Sequence, residues 1–417
     1  MSDEIATNQT PTHPKLRPVE PQWVEYQGQP CIYLRDPMAM AERAVIVPRG
    51  LAPLLALCDG TRDVSQLKVS LMLRAGIQLS IAKIADLVTQ LDGALLLENG
   101  AYLAASAQVL REYREAEYRT PSHAGYVYPP EANELKATLD DYCGKVPADG
   151  SSQVPESTLA GVVSPHIDFA RGYETYARLW RRAAPMLQDV EVAIIFGTDH
   201  AGGAGALTLT RQDYRTPLGT MPTDKDVIEG LVKALGPESA FAEEIHHIRE
   251  HSIELALVWL QYFLKDRSCP IVPILCGSFH DYVEGESDPS DDERIGATLA
   301  SIAEATAGRK TLVVAAADLA HVGPAFGDSA PVDPVSRARL AVDDGESLAA
   351  ICDGDAEGFF QRSRAESDAR RICGLPPIYM TLRYLEGARG ESLGYDQCPA
   401  DATGGSVVSI AGVLLYR

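Results

Sequence analysis

A chain of 417 residues with 46 % hydrophobic and 23 % charged side chains has the balance of a folded globular protein, which excludes collagen, coiled coil and wholesale disorder. At about 150 residues per domain it holds two or three domains. Its 58 acidic against 37 basic residues give a formal charge of -21, which repels phosphate and argues against nucleic acid and anionic membranes as partners.

Residues 1–20, rich in Pro, Thr and Asn, read as a disordered leader with neither a secretory nor a lipidation signal. Apolar runs such as residues 312–317 are too short to span a bilayer, so a cytoplasmic location is expected. Eight cysteines without a C-x-x-C pair fit reduced thiols better than disulfides or structural zinc.

The fold begins after the leader. Residues 23–34 are aromatic and β-branched; 52–58 and 67–73 read as short helices around the turn Asp59-Gly60-Thr61; 81–91 places Ile81, Ile84, Ala85, Val88 and Leu91 at helical spacing. Asn99-Gly100 then predicts a hairpin tip within 94–102, so residues 21–104 read as a small winged-helix-like domain. With one Lys and no Arg in 77–105, a DNA role is disfavoured. The stretch Leu54-Leu55-Ala56-Leu57-Cys58-Asp59-Gly60-Thr61, Val64 and Leu91-Asp92-Gly93-Ala94-Leu95 resembles peptide-recognition domains of the PqqD type, over about 70 residues. Residues 105–118 read as a polar connecting helix.

From 119 to 417, apolar β-rich runs alternate with helical stretches, the pattern of an α/β sheet covered on both faces. Five strands are predicted, at 160–163, 190–196, 271–275, 311–317 and 407–415. Four of the nine histidines follow strands: His166, His200, His280 and His321. Ligand crevices in open α/β sheets lie beyond the carboxyl ends of strands, so these imidazoles are expected to converge. His251 opens an amphipathic helix, while Asp168, Asp199 and Asp318 supply carboxylates near the first, second and fourth strand-end histidines. Imidazole with carboxylate is the donor set of divalent iron, zinc or copper, and a further His can serve as acid or base. Glu254, one turn from His251, is expected to orient an imidazole. Asp199 is read as a site carboxylate or a turn cap, Cys373 as a pocket thiol or a buried core residue, and His246 and His247 as solvated.

In that order along the chain, Pro165-His166, Gly197-Thr198-Asp199-His200, Tyr214-Arg215-Thr216-Pro217-Leu218-Gly219, Glu250-His251-Ser252-Ile253-Glu254, Val272-Pro273-Ile274-Leu275 and Asp318-Leu319-Ala320-His321 resemble the MEMO family. Ser122-His123-Ala124-Gly125 with Tyr128 is similar to its opening segment, and Cys373-Gly374, Tyr395 and 407–415 to its close. The resemblance covers residues 119–417, and bacterial members are called AmmeMemoRadiSam system protein B. It implies a three-layer α/β/α fold similar to class III extradiol dioxygenases, which use non-haem iron. It further implies His166 and His200 as metal ligands, with His251 beside the metal as acid or base. A further ligand is implied directly before His321, where this chain has Ala320. Alanine cannot ligate, so Asp318, His321 or His251 must complete the set, or the site is degenerate.

Three functions follow. One is a non-haem metal-dependent oxidoreductase, dioxygenase-like, with iron, copper or zinc and a small substrate. The second is a non-catalytic component that binds a peptide or partner, beside the radical SAM and AMMECR-type proteins that the family name implies. The third is a hydrolase using zinc-bound water.

Overall fold

The computed structural model describes residues 12–36, 38, 40, 43–147, 157–265, 267–285 and 287–417, and these form two compact units that divide at 115/116. In the first, strands β1 (Glu20–Tyr26), β2 (Gln29–Arg35) and β3 (Val45–Pro48) form an antiparallel sheet. Helices α1 (Ala52–Leu57), α2 (Val64–Ala75), α3 (Ile81–Gly93) and α4 (Gly100–Glu115) follow. Leu54, Leu67, Leu71, Ile84, Val88 and Leu91 share one core with Ile32, Leu34, Val45 and Val47.

Two expectations change here. The hairpin tip predicted at Asn99-Gly100 is instead the start of α4: the Asn99 carboxamide accepts the Tyr102 N–H at 3.0 Å, so Asn99 caps a helix rather than turning a strand, and Leu97 forms an antiparallel bridge with Leu16. The connecting helix accordingly begins at Gly100 and ends at Glu115. The later part of the predicted leader is tied to the fold. Residues 1–11 lie outside the described residues, but the Leu16 and Arg17 amides donate to Cys58 O and Leu96 O, and Arg17 is paired with Asp36 at 2.6 Å.

The second unit is an α/β structure on a mixed sheet. Its elements run α5 (Ala132–Lys145), β4 (Leu159–Ser164), α6 (Phe169–Ala183), β5 (Val192–Thr198), β6 (Leu207–Leu209), β7 (Tyr214–Thr216), β8 (Gly219–Met221), α7 (Lys225–Leu235), α8 (Pro237–Ala240) and α9 (Ser252–Leu264). There follow β9 (Ile271–Cys276), α10 (His280–Glu284), α11 (Glu293–Ala305), β10 (Thr311–Ala316), β11 (His321–Val322), α12 (Pro334–Cys352), α13 (Ala356–Ala365), α14 (Leu375–Tyr384), β12 (Arg389–Pro399) and β13 (Val407–Tyr416).

The main sheet has the order β11-β13-β4-β10-β5-β9-β6, with β12 also on β13. Strands β4, β10, β5 and β9 are parallel, whereas β13 and β6 run antiparallel. The parallel strands are buried throughout because each face is covered. Val163, Ile194, Phe196 and Ile274 pack under α7, α11 and α14; Val162, Ile195, Leu275 and Val314 pack under α6 and α9. All five predicted strands are present. The missed long strand, β12, is a polar, half-exposed edge without hydrophobic alternation. No described helix is long and apolar enough to cross a membrane.

Because β10 lies between β4 and β5, the carboxyl ends of three neighbouring strands open onto one place. Local bonds fix the loops there. Trp180 Nε1 donates to Ser164 Oγ at 3.1 Å, and the Tyr176 hydroxyl to Ile167 O at 2.9 Å, which holds the segment carrying His166 against α6.

Candidate metal centre

His166 follows β4 and His200 follows β5, and their rings meet at 5.1 Å between centroids. His251, the residue before α9, lies 5.2 Å from His166 and 4.8 Å from His200. One donor nitrogen from each ring falls within 4.8 Å of the others. His166 Nδ1 is 2.9 Å from Ala316 O, His200 Nδ1 is 3.0 Å from Glu250 Oε2, and His251 Nδ1 is 3.1 Å from Glu250 Oε1. Carbonyl and carboxylate oxygens only accept, so each Nδ1 carries a proton and Nε2 is the nitrogen that each ring turns to the centre.

Glu250 holds two of the three rings, and it also accepts the backbone N–H groups of His200, His251 and Ser252 at 3.0, 2.7 and 2.9 Å. The role expected of Glu254 therefore falls to Glu250. Glu254 instead pairs with the buried Arg119 and accepts from Tyr128 and from the Ser122 and His123 amides. It fixes the segment that lays His123 against His251, 5.3 Å between centroids.

A thiol lies beside the cluster. Cys373 Sγ lies 3.3 Å from His166 Nε2, and Thr198 Oγ1 donates to Cys373 O at 3.1 Å. A Cβ on Gly374 would stand 2.4 Å from Asp318 O, so only glycine lets the segment carrying Cys373 lie so close to the end of β10. This thiol comes from another loop than the position before His321, where the resemblance implies a ligand. Ala320 is fully buried and bonded through its backbone N–H to Ser409 Oγ.

The other expected ligands are placed differently. Asp318 supports rather than joins the cluster: its Oδ1 accepts the His166 N–H at 2.8 Å, and its Oδ2 lies 3.7 Å from His166 Nε2. His321 turns aside, with Nδ1 3.1 Å from Leu319 O and its ring edge-on to Phe326. Asp168 caps α6 and pairs with Arg171. His280 stands on α10 and lines the neighbouring pocket. The expectation of solvated residues at 246 and 247 fails: His246 Nδ1 is 2.9 Å from Asp199 Oδ2, and His247 is fully buried between the Tyr214 hydroxyl and Thr208 O.

The electrostatics follow from this packing. Burial alone lowers the His166 imidazole, but Asp318 and the Cys373 sulfur outweigh it and raise it to about 9. Burial is likewise outweighed at His200, which Glu250 raises well above the ordinary imidazole range. At His251 burial prevails, and the ring stays below its usual value. Burial would raise Cys373, yet His166 and His321 hold it well below the usual thiol range. Asp199, His200, Arg371 and Cys373 line a pocket of about 240 Å³ at this end of the sheet. A larger cavity, about 940 Å³, lies at the opposite end beside Leu159 and Thr311 and holds no imidazole or thiol.

His247 yields a pH prediction. Burial, reinforced by Arg119, pushes its imidazole down to about 3. The unfolded chain binds a proton at this residue below about 6.5, whereas the folded chain does not until far lower pH. Stability therefore falls as pH drops from about 6.5 towards 3, by up to about 1.4 kcal/mol per unit from this group, and is unaffected by it above 6.5. Urea midpoints between pH 7 and 4.5 should fall less steeply in His247→Gln than in the wild type; parallel profiles would contradict this.

Residues 119–414 match the family described as Memo-like protein. Among curated relatives, a MEMO1 family protein of Aquifex aeolicus is 25 % identical over 389 residues, covering 92 % of this chain and 95 % of that protein. That match runs well into the first unit. One from Methanosarcina barkeri is 27 % identical over 280 residues (66 % of this chain, 91 % of that protein), and one from Methanopyrus kandleri 31 % over 220 (49 % and 70 %).

Proposed function

Because the chain belongs to the Memo-like protein family, we propose that its imidazole–thiol cluster holds a divalent metal, iron in preference to copper or zinc, and that the protein is a non-haem metal-dependent oxidoreductase acting on a small substrate. The observation that carries this reading is the convergence of three Nδ1-anchored imidazoles with a low-pKa thiol beside a pocket. Imidazole and thiolate together suit iron, zinc and copper, so the donor set fits the group.

His166, His200 and Cys373 are the proposed ligands, and a redox-active ion held there supplies electron exchange with oxygen or an oxidisable substrate. His251, neutral near pH 7, takes a proton at Nε2 from a substrate hydroxyl or a water in the pocket. Glu250 stabilises the resulting imidazolium through Nδ1 while keeping the ring aimed at the centre. Both ligand rings must give up their Nε2 protons when the site is loaded, so loading strengthens with pH. A pocket of about 240 Å³ suits a small molecule or a single inserted side chain better than a large ligand. A non-catalytic binding role is consistent with the missing donor at Ala320, and the oxidoreductase reading is favoured by the Cys373 thiol beside the imidazoles; association with radical SAM and AMMECR-type proteins is an expectation of the family resemblance.

The test is elemental analysis of anaerobically purified protein, with His166→Ala and His200→Ala alongside and oxygen uptake followed. Near-stoichiometric iron or copper lost in both variants supports the reading. Zinc alone without oxygen uptake turns it towards hydrolysis. A wild type that stays metal-free after reconstitution overturns it and makes the pocket a recognition site.

A further inference from the structure

Immediately beside this centre, on the residue before His200, a second donor set converges that the proposed chemistry does not use. Asp199 closes the turn after β5, while Glu243 and His246 come from the segment between α8 and α9. One donor atom from each lies within 4.8 Å of the others. The Asp199 side chain is wholly buried, that of His246 is 14 % exposed, and Glu243 is partly buried at the outer side of the set.

Charge is the first argument. Among the described residues neither carboxylate is paired with a lysine or arginine; the one cationic partner is the His246 ring, with Nδ1 2.9 Å from Asp199 Oδ2. Two carboxylates held together repel, and one imidazole does not balance both.

The backbone is the second and independent argument. A Cβ on Gly202 would stand 2.6 Å from Asp199 Cγ, and one on Gly203 would stand 3.0 Å from Glu243 Oε1. Consecutive glycines thus keep side chains off both carboxylates. The Gly203 N–H donates to both Glu243 oxygens at 3.0 Å, which aims that carboxylate at the cluster.

We propose that Asp199, Glu243 and His246 form a second divalent-cation site, harder than the imidazole–thiol centre and suited to Mn²⁺. Two carboxylates and one imidazole are an oxygen-rich set of the kind manganese favours, whereas the neighbouring set offers nitrogen and sulfur. The cation takes the place of the proton between His246 Nδ1 and Asp199 Oδ2, and that proton leaves to solvent. Asp199 and His200 are consecutive and line the same pocket, so a cation here adds positive charge to the pocket wall and favours an anionic substrate group.

The experiment uses full-length protein stripped of metal with chelator and titrated with Mn²⁺ alone, free ion being read by electron paramagnetic resonance. The wild type should show saturable binding that persists in His166→Ala/His200→Ala and weakens at least about tenfold in Glu243→Gln and His246→Gln. Glu243→Gln keeps an oxygen for the Gly203 N–H and so keeps the fold, which circular dichroism checks; it decides alone if His246→Gln unfolds. Three results would each overturn the proposal: no saturable Mn²⁺ binding in the wild type, wild-type titration in Glu243→Gln, or loss of Mn²⁺ binding in His166→Ala/His200→Ala. The imidazole–thiol centre is judged separately, by the metal that His166→Ala and His200→Ala lose.

Discussion

Arg119→Met is expected to lose about 3–5 kcal/mol of stability, more than any other single polar substitution around the site. The guanidinium is 1 % exposed and engaged through all three nitrogens: Nε donates to His247 O at 2.8 Å, Nη2 to Glu250 O at 2.8 Å and Ser122 Oγ at 3.1 Å, and Nη1 to Glu254, while its plane lies over the Tyr214 ring. Methionine fills much of the volume but leaves the Glu254 carboxylate buried with no guanidinium, and strips a donor from two carbonyls. In Arg119→Met/Glu254→Gln the unpaired charge is gone, so part of the loss should return, the carbonyls remaining unpaired. At about 2–4 °C per kcal/mol for a domain of this size, thermal melts should place the single variant roughly 10 °C below the wild type. A shift within a degree or two would mean that the pair is solvated, and the burial argument would fall.

The second large effect concerns metal affinity. Glu250→Gln should weaken metal binding about 10- to 100-fold while leaving far-UV circular dichroism unchanged. The carboxylate meets only donors, namely three backbone N–H groups and the Nδ1–H groups of His200 and His251. A carboxamide offers one accepting oxygen and sets an NH₂ against the remaining donors, so at least one ring loses its anchor and rotates. Glu254→Gln is the matched control: it should lower the melting temperature and weaken metal binding far less. Competition titrations with a chromogenic chelator separate the two, and equal losses in both variants would contradict the assignment of Glu250 as the orienting group.

The contrast between these glutamates shows what a sequence reveals and what it hides. The parallel strands were legible because a strand buried on both faces is a continuous apolar run, and the strand-end rule then placed His166 and His200 together. Strand β12 was not legible, being a polar edge. Helical periodicity favoured Glu254, one turn from His251, but that face of α9 packs against Arg119 and Tyr128, and the side chain before the helix reaches both rings instead. The available signal is Glu250 two residues before α9, where an acceptor serves the free N–H groups. Cys373 lies 173 residues beyond His200 in sequence, and only the crossing of its loop over the ends of β5 and β10 brings it in. His247 looked solvated because its neighbours are polar, yet Tyr214 and Thr208 satisfy both ring nitrogens inside the core.

Whether Cys373 and the imidazoles together hold a metal is read by X-ray absorption at the edge of whichever metal the anaerobic protein carries. The wild type should show imidazole scattering together with one sulfur at about 2.3 Å, the distance zinc makes to thiolate, and a sulfur shell that disappears in Cys373→Ala while the imidazole shells persist. A wild-type spectrum with no sulfur shell, or one unchanged in Cys373→Ala, would contradict Cys373 as a ligand.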